Sequence, residues 1–402
     1  MWELIHANKR NSIILMATMA VCLLALGFAI GASFEPNRGG SMGLIIAAAI
    51  WLVLALVSLS AGDQILLAAS GAQKVTHDVH PQLFNVVEEM TIAANLPKMP
   101  DIYIINDPAP NAFATGRSPK SASIAVTAGL LSKLNRDELQ GVVGHEMSHI
   151  LNRDVLFVTL AGIMLGTIVL ISEIFLRSLY YGSASRRRYS SREGGGGQAQ
   201  LIMMIVAIVA AILAPLFAQI LYFALSRKRE YLADASSVRL TRYPEGLANA
   251  LEKIAASDIR LASANKVTAP MYIVNPLTTG GMKAMSLMST HPPIQDRVRI
   301  LRNMSHGASY IDYARSYEAV TKSRGIIPSY ELKKDEMVEL RNASPAAEAT
   351  SKDQQRQLGD VMAKVSNFAF LTCPCGLKIK VSPTYKGRQV QCPRCSRSLA
   401  VQ

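Results

Sequence analysis

Four long apolar runs interrupt an otherwise polar chain, at about Ile13 to Ala32, Met42 to Leu59, Leu156 to Phe175 and Leu201 to Phe223. Runs of roughly 17–25 apolar residues are what a helix needs to cross the hydrocarbon core of a bilayer. The first follows Lys9 and Arg10 and exceeds the apolar stretch of an ordinary secretory signal. The second comes soon after it, behind a Pro/Gly-containing turn from Phe34 to Gly40, so the pair reads as a transmembrane hairpin. The third and fourth form a second hydrophobic pair, separated by Arg186, Arg187 and Arg188 and by a glycine run, Gly194 to Gly197, that reads as a flexible loop.

The polar stretches have a different periodicity. Asp101 to Ile105 and Ala122 to Thr127 alternate weakly, as strands do, and Asn135 is placed to cap a helix that begins Arg-Asp-Glu-Leu. After Ser226 the pattern is helix-rich to about Met304. The expected fold is mainly α with a small β-sheet. Residues 1–70 form the first hairpin, 71–155 and 226–328 two parts of one polar domain, 156–225 the second hairpin, 329–368 a charged and partly helical linker, and 369–402 a cysteine-bearing module.

Composition sharpens this picture. Half the residues are hydrophobic but only 6% are aromatic, a balance that suits lipid-facing helices rich in Ala, Leu, Ile, Val and Met. The formal charge of +13 would point to nucleic acid in a soluble chain. Several of the cations flank apolar runs (Lys9, Arg10, Arg177, Arg227, Lys228, Arg229), where anionic lipid head groups account for them, so the bilayer is the expected partner and nucleic acid is disfavoured.

Candidate chemistry centres on Gly144-His-Glu-Met-Ser-His149. Positions four apart share one face of a helix, so His145 and His149 can converge on one Zn²⁺ with Glu146 beside it. A zinc ion held there acidifies a water and polarises the scissile carbonyl, and Glu146 can take the proton. The motif arises by chance in on the order of one chain in a hundred of this length, so it needs a third ligand to carry weight. Arg227-Lys-Arg-Glu-Tyr-Leu-Ala-Asp234 offers Glu230, with Asp234 one turn on to orient a ligand histidine. Spacing alone also allows a charged juxtamembrane helix there.

Taken together, the HExxH run through Asn152 and Asp154, Glu230-x-x-x-Asp234, Pro110-Asn-Ala-Phe-Ala-Thr-Gly116 and Thr290-His-Pro-Pro-Ile-Gln-Asp-Arg297 resemble the HtpX-type membrane metalloproteases. These are gluzincins related to the prenyl-protein endoprotease, and the likeness covers about residues 1 to 305. It implies a zinc metalloendopeptidase with Glu230 as third zinc ligand and Asp234 as the carboxylate behind it. It further implies that His291 stabilises the oxyanion, and that Asn111 and Ala112 lie on the edge strand that binds substrate main chain by β-augmentation. Without the resemblance, Asn111 and Ala112 read as a turn and His291 as a loop residue. Asn152 and Asp154 are expected to end the helix or join its polar network.

The arginine- and glycine-rich insert and the C-terminal cysteines depart from that family pattern. Cys373, Cys375, Cys392 and Cys395 come in two tight turns around a strand-like Leu377 to Val381, which resembles a zinc ribbon holding a second, structural Zn²⁺. A redox dithiol pair or two disulfides are the alternatives. Lys9 and Arg10 argue for a cytoplasmic N-terminus and, after two crossings, a cytoplasmic active site in the inner membrane; Arg186, Arg187, Arg188 and Arg192 oppose that topology. The expected function is hydrolysis of peptide bonds in membrane or misfolded proteins, a quality-control activity. A catalytically silent membrane adaptor that recruits partners through the ribbon is the competing reading.

Overall fold

In the computed structural model, the described residues are 2–182, 197–262, 271–274 and 291–401, apart from residues 36, 305–306, 334, 346–349 and 386. The insert with Arg186, Arg187, Arg188 and Arg192 lies outside them. Four helices carry the apolar runs: α1 (Trp2–Phe34), α2 (Gly39–Ala69), α6 (Asp154–Gly182) and α7 (Gly197–Thr241). Within them, Ile13–Phe34, Gly39–Val57, Leu160–Tyr181 and the N-terminal part of α7 from Gln200 are long and apolar enough to cross a bilayer. Leu23, Leu26, Ala47, Met164, Ile168 and Ala211 pack the four helices into one bundle, while Ile45, Leu52 and Val53 of α2 and Ile205 and Ile212 of α7 face outward. Apolar side chains facing outward along whole spans are what a lipid solvent requires.

A polar domain is built on the ends of these helices. A four-stranded sheet runs in the order β1-β2-β4-β3, with β1 (Ala72–Lys74) antiparallel to β2 (Asp101–Ile105), β2 parallel to β4 (Ser123–Thr127), and β3 (Ala112–Thr115) antiparallel to β4 at the edge. One face of the sheet, through Ile102, Ile104, Ala112, Ala114, Ile124 and Val126, packs on α3 (Pro81–Ala93) and α5 (Arg136–Leu151) in the main core. The other face, through Ile105, Phe113 and Ala125, packs on Leu67, where α2 rises past its membrane span.

Helix α5 starts at a capping box. The Asn135 side chain accepts from the Glu138 amide and the Glu138 carboxylate accepts from the Asn135 amide, satisfying two otherwise orphaned donors. It then crosses α7 and α8 (Pro244–Ala255) at very short range. A Cβ on Gly141 would lie 2.6 Å from the Leu247 backbone nitrogen, so only glycine permits this close packing of α5 on α8.

The chain closes with α9 (Ile294–Arg302), α10 (Tyr310–Thr321), α11 (Ser329–Lys333) and α12 (Ser351–Val365). The stretch read as a charged linker carries α11 and α12 and docks on the rest of the domain. Val361 and Val365 enter the main core, and α12 packs against α4 (Ala128–Lys133). Two small hairpins, β5 (Ala369–Thr372) with β6 (Lys378–Val381) and β7 (Gln389–Gln391) with β8 (Ser398–Ala400), make the terminal module.

Candidate active site

His145 and His149 project from one face of α5 as their spacing predicts, and their Nε2 atoms lie 3.2 Å apart. Glu230 meets them from α7, with Oε2 3.5 Å from His145 Nε2 and Oε1 3.5 Å from His149 Nε2. Ligands at about 2.0–2.2 Å from a tetrahedral zinc are separated by roughly 3.3–3.5 Å, and the two imidazole nitrogens, with one Glu230 oxygen facing each, lie close to that spacing. Glu230 Oε2 is buried without a hydrogen bond, and a cation is the partner its position suits.

The outer contacts hold both rings. Asp234, one turn beyond Glu230, places Oδ1 2.9 Å from His145 Nδ1. Asp154, at the start of α6, places Oδ2 3.3 Å from His149 Nδ1. Each imidazole is thus turned so that Nε2 faces the metal position. Asn152 ends α5 as its C-cap, and Asp154 joins the polar network, the two roles expected for them.

Burial lowers the proton affinity of both histidines, but their bonds to Asp234 and Glu230, or to Asp154 and Glu230, outweigh it. His145 is held above its usual value and His149 is pushed up to about 10. Carboxylates packed around the two rings demand positive charge, which a dication supplies in place of two protons. Burial also pushes the Glu146 carboxyl upward, with Glu230 adding to it against the pull of the two histidines. The Ala114 amide donates to this carboxyl, while Oε1 has no hydrogen-bond partner.

His291 is buried 3.8 Å from Glu230, and burial holds its ring below its usual value against the pull of Glu230, with Arg297 and His145 adding to the effect of burial. Arg297 ends the Thr290-to-Arg297 motif, and nothing in the sequence around it indicates its role. It is fully buried and grips Asp234 with two bonds of 2.8 and 2.6 Å, with Nη1 3.5 Å from Glu230. Asn111 and Ala112 lie at the β3 edge within reach of residues 273–274: Ala112 C=O accepts from Ile273 N–H at 2.9 Å, and Asn111 Nδ2 donates to Val274 C=O at 2.8 Å.

A description of Peptidase family M48 matches residues 77–305, more than half of the chain and every residue of this site. The chain belongs to peptidase family M48. Among its relatives, a protease HtpX homologue of Dictyoglomus thermophilum is 46% identical over 311 residues, 77% of this chain and 97% of that one. A protease HtpX homologue of Streptococcus agalactiae is 41% identical over 304 residues, 76% of this chain and all of that one. The crystal structure of S. mikatae Ste24p aligns with a TM-score of 0.40 at 18% identity, over 75% of this chain and 67% of that one. As an M48 member and HtpX homologue, the protein is a zinc metalloendopeptidase with membrane helices, and its chemistry calls for polypeptide substrates.

The four cysteines form a second cluster, beyond the part matched by the M48 family. Cys373 Sγ lies 3.4 Å from Cys395 Sγ, and Cys375 Sγ lies 3.6 Å from Cys392 Sγ. These are near the ~3.8 Å edges of a tetrahedron with metal–sulfur bonds of about 2.3 Å. All four cysteines are free thiols.

Proposed function

We propose that this M48 peptidase cleaves membrane proteins and misfolded chains at the bilayer surface, with His145, His149 and Glu230 as zinc ligands and Glu146 as general base. The observation that carries the reading is the convergence of two imidazoles and one carboxylate from separate helices, with all three separations between 3.2 and 3.5 Å. Zinc, when bound, supplies Lewis acidity toward water and the scissile carbonyl.

The chain's own residues do the rest. Glu146, biased upward in pKa by burial, accepts a proton at a carboxyl held in place by the Ala114 amide and passes it to the leaving amine. His291, buried beside the metal position, is the side chain placed to meet the carbonyl oxygen as it becomes negative, once its ring is released from the Tyr272 carbonyl. Asp234 and Asp154 orient the two ligand rings, and Asn111 and Ala112 offer main-chain and amide groups to an extended peptide. A buried carboxylate oxygen without a hydrogen bond is costly, and the adaptor reading gives Glu146 no use for it.

Glu146→Gln keeps the side chain's shape and removes the base. In detergent-solubilised protein, cleavage of an unfolded polypeptide is expected to fall at least a hundredfold with zinc content unchanged. Undiminished cleavage rejects the mechanism. The sulfur geometry supports a structural Zn²⁺ in the module at 369–402, and thiolate ligands suit the cytoplasmic side of the membrane. The division into two hairpins, a split catalytic domain, a connecting stretch and a ribbon is supported by the element boundaries.

A further inference from the structure

The edge of the catalytic cleft is occupied by the protein's own chain. Strand β3 ends the sheet, and Met271–Val274 lies along its outer side. Ile273 N–H donates to Ala112 C=O at 2.9 Å. The Asn111 amide holds both main-chain groups of Val274, donating to C=O at 2.8 Å and facing N–H at 3.4 Å. Arg297 Nη1 donates to Ile273 C=O at 3.2 Å, and the His291 ring donates to Tyr272 C=O.

Tyr272 and Ile273 point to opposite sides of the sheet edge, although the segment itself is bent rather than a strand. Tyr272 stacks edge-to-face on Phe113 at 5.1 Å on one side of the sheet, while Ile273 enters the main core on the other. Met271 reaches the cavity shared by Glu146, His149 and Glu230, whose volume of about 30 Å³ has room for water and none for a peptide.

We propose that Met271–Val274 is an internal occupant of the substrate path, so that this conformation is self-inhibited and a peptide enters by displacing it from the β3 edge. The proposal rests on the proteolytic reading of the site. Asn111 and Ala112, the groups placed to bind substrate main chain, and His291, placed to meet the oxyanion, all engage these four residues. The occupant also reports which side chains the path accepts: an aromatic one against Phe113 followed by a β-branched aliphatic one.

Two measurements on the full-length, zinc-loaded protein test this. Tyr272→Gly removes the stacked ring and is expected to raise kcat/KM for a short unstructured peptide on the order of tenfold, mainly through KM. In Glu146→Gln protein, which holds a peptide without cutting it, saturation with a peptide carrying a Tyr-Ile pair is expected to speed hydrogen exchange at the Ile273 and Val274 amides. An unchanged or lower kcat/KM in a Tyr272→Gly protein that keeps its metal and thermal midpoint overturns the proposal. So does exchange that is unchanged or slowed with peptide bound, which would make the segment a fixed wall of the site. If Glu146→Gln leaves cleavage intact, it is the proteolytic reading that fails.

Discussion

Asp234 and Arg297 form the most tightly enclosed charge pair at the metal centre, both fully shielded from solvent and joined by two hydrogen bonds. Such a pair holds His145 only while both charges are present. Asp234→Asn leaves a buried guanidinium without its counter-ion, a loss of about 3–5 kcal/mol in comparable sites, and frees the His145 ring. The expected result is a lowered thermal midpoint even without zinc, together with zinc affinity reduced roughly 10- to 100-fold. Asp154→Asn removes the partner of the His149 ring and one end of an ion pair with the buried Arg229, and is likewise expected to weaken zinc binding; undiminished zinc affinity would count against the assignment. The zinc ligands were legible in the sequence because a helix fixes His145 and His149 on one face and because Glu230 and Asp234 repeat that geometry. The role of Arg297 was not, since the partnership spans 63 residues of chain and nothing local to Arg297 indicates which carboxylate it meets.

At the scale of elements, the chain beyond α10 braces the catalytic helices. Arg341 donates to Asp137 at 2.9 Å, Gln140 at 2.6 Å and the Thr241 carbonyl at 2.9 Å, so one side chain ties the start of α5 to the end of α7. Ser344 gives Asp137 two more bonds, and Arg239 pairs with Asp335. Burial alone would raise Asp137, but Ser344 and Arg341 outweigh it and hold the carboxyl below its usual value. A carboxyl depressed by folding stabilises the fold fully above its unfolded pKa, about 4, and that contribution fades as pH falls through the lower folded value. Arg341→Ala should therefore destabilise the domain by about 2 kcal/mol at neutral pH in denaturant titrations. The difference from wild type should shrink in acid below about pH 4, and a gap that widens there would contradict the assignment. This bracing was hidden in the sequence, where residues 329–368 show only a charged, low-hydropathy composition. The Asn135 cap, by contrast, was readable because a capping box is a local pattern. The cysteine module was readable for the same reason, and its independence has a simple test: zinc content should fall from two per chain to one on Cys392→Ser with peptide cleavage retaining its Glu146 dependence, and a chain that loses both ions would tie the two sites together.

For the whole molecule, the crossing rule follows from the metal site. Ligands on either side of a hydrophobic hairpin meet at one point, so α6 and α7 must return the chain to the face it left. The same helices set the height of the site. Asp154 touches His149, and the apolar span of α6 begins at Leu160, six residues and about 9 Å further along at 1.5 Å per residue. Arg117, just past β3, bonds the carbonyl of Leu59, two residues beyond the apolar span of α2 that ends at Val57, so the cleft's edge strand also lies beside the bilayer. An extended peptide gains about 3.3 Å per residue, so bonds only a few residues from a membrane anchor lie within reach. This predicts a dependence on tether length. In vesicles, consider single-span substrates carrying one cleavable segment separated from the membrane by a Gly/Ser linker of 5, 10, 20 or 40 residues. The effective concentration of that segment at the cleft falls roughly as the −3/2 power of linker length once the linker can span the gap, so lengthening it from 5 to 40 residues should slow cleavage roughly twentyfold. A rate independent of linker length would place the working cleft away from the bilayer surface and break the link between helix geometry and choice of substrate.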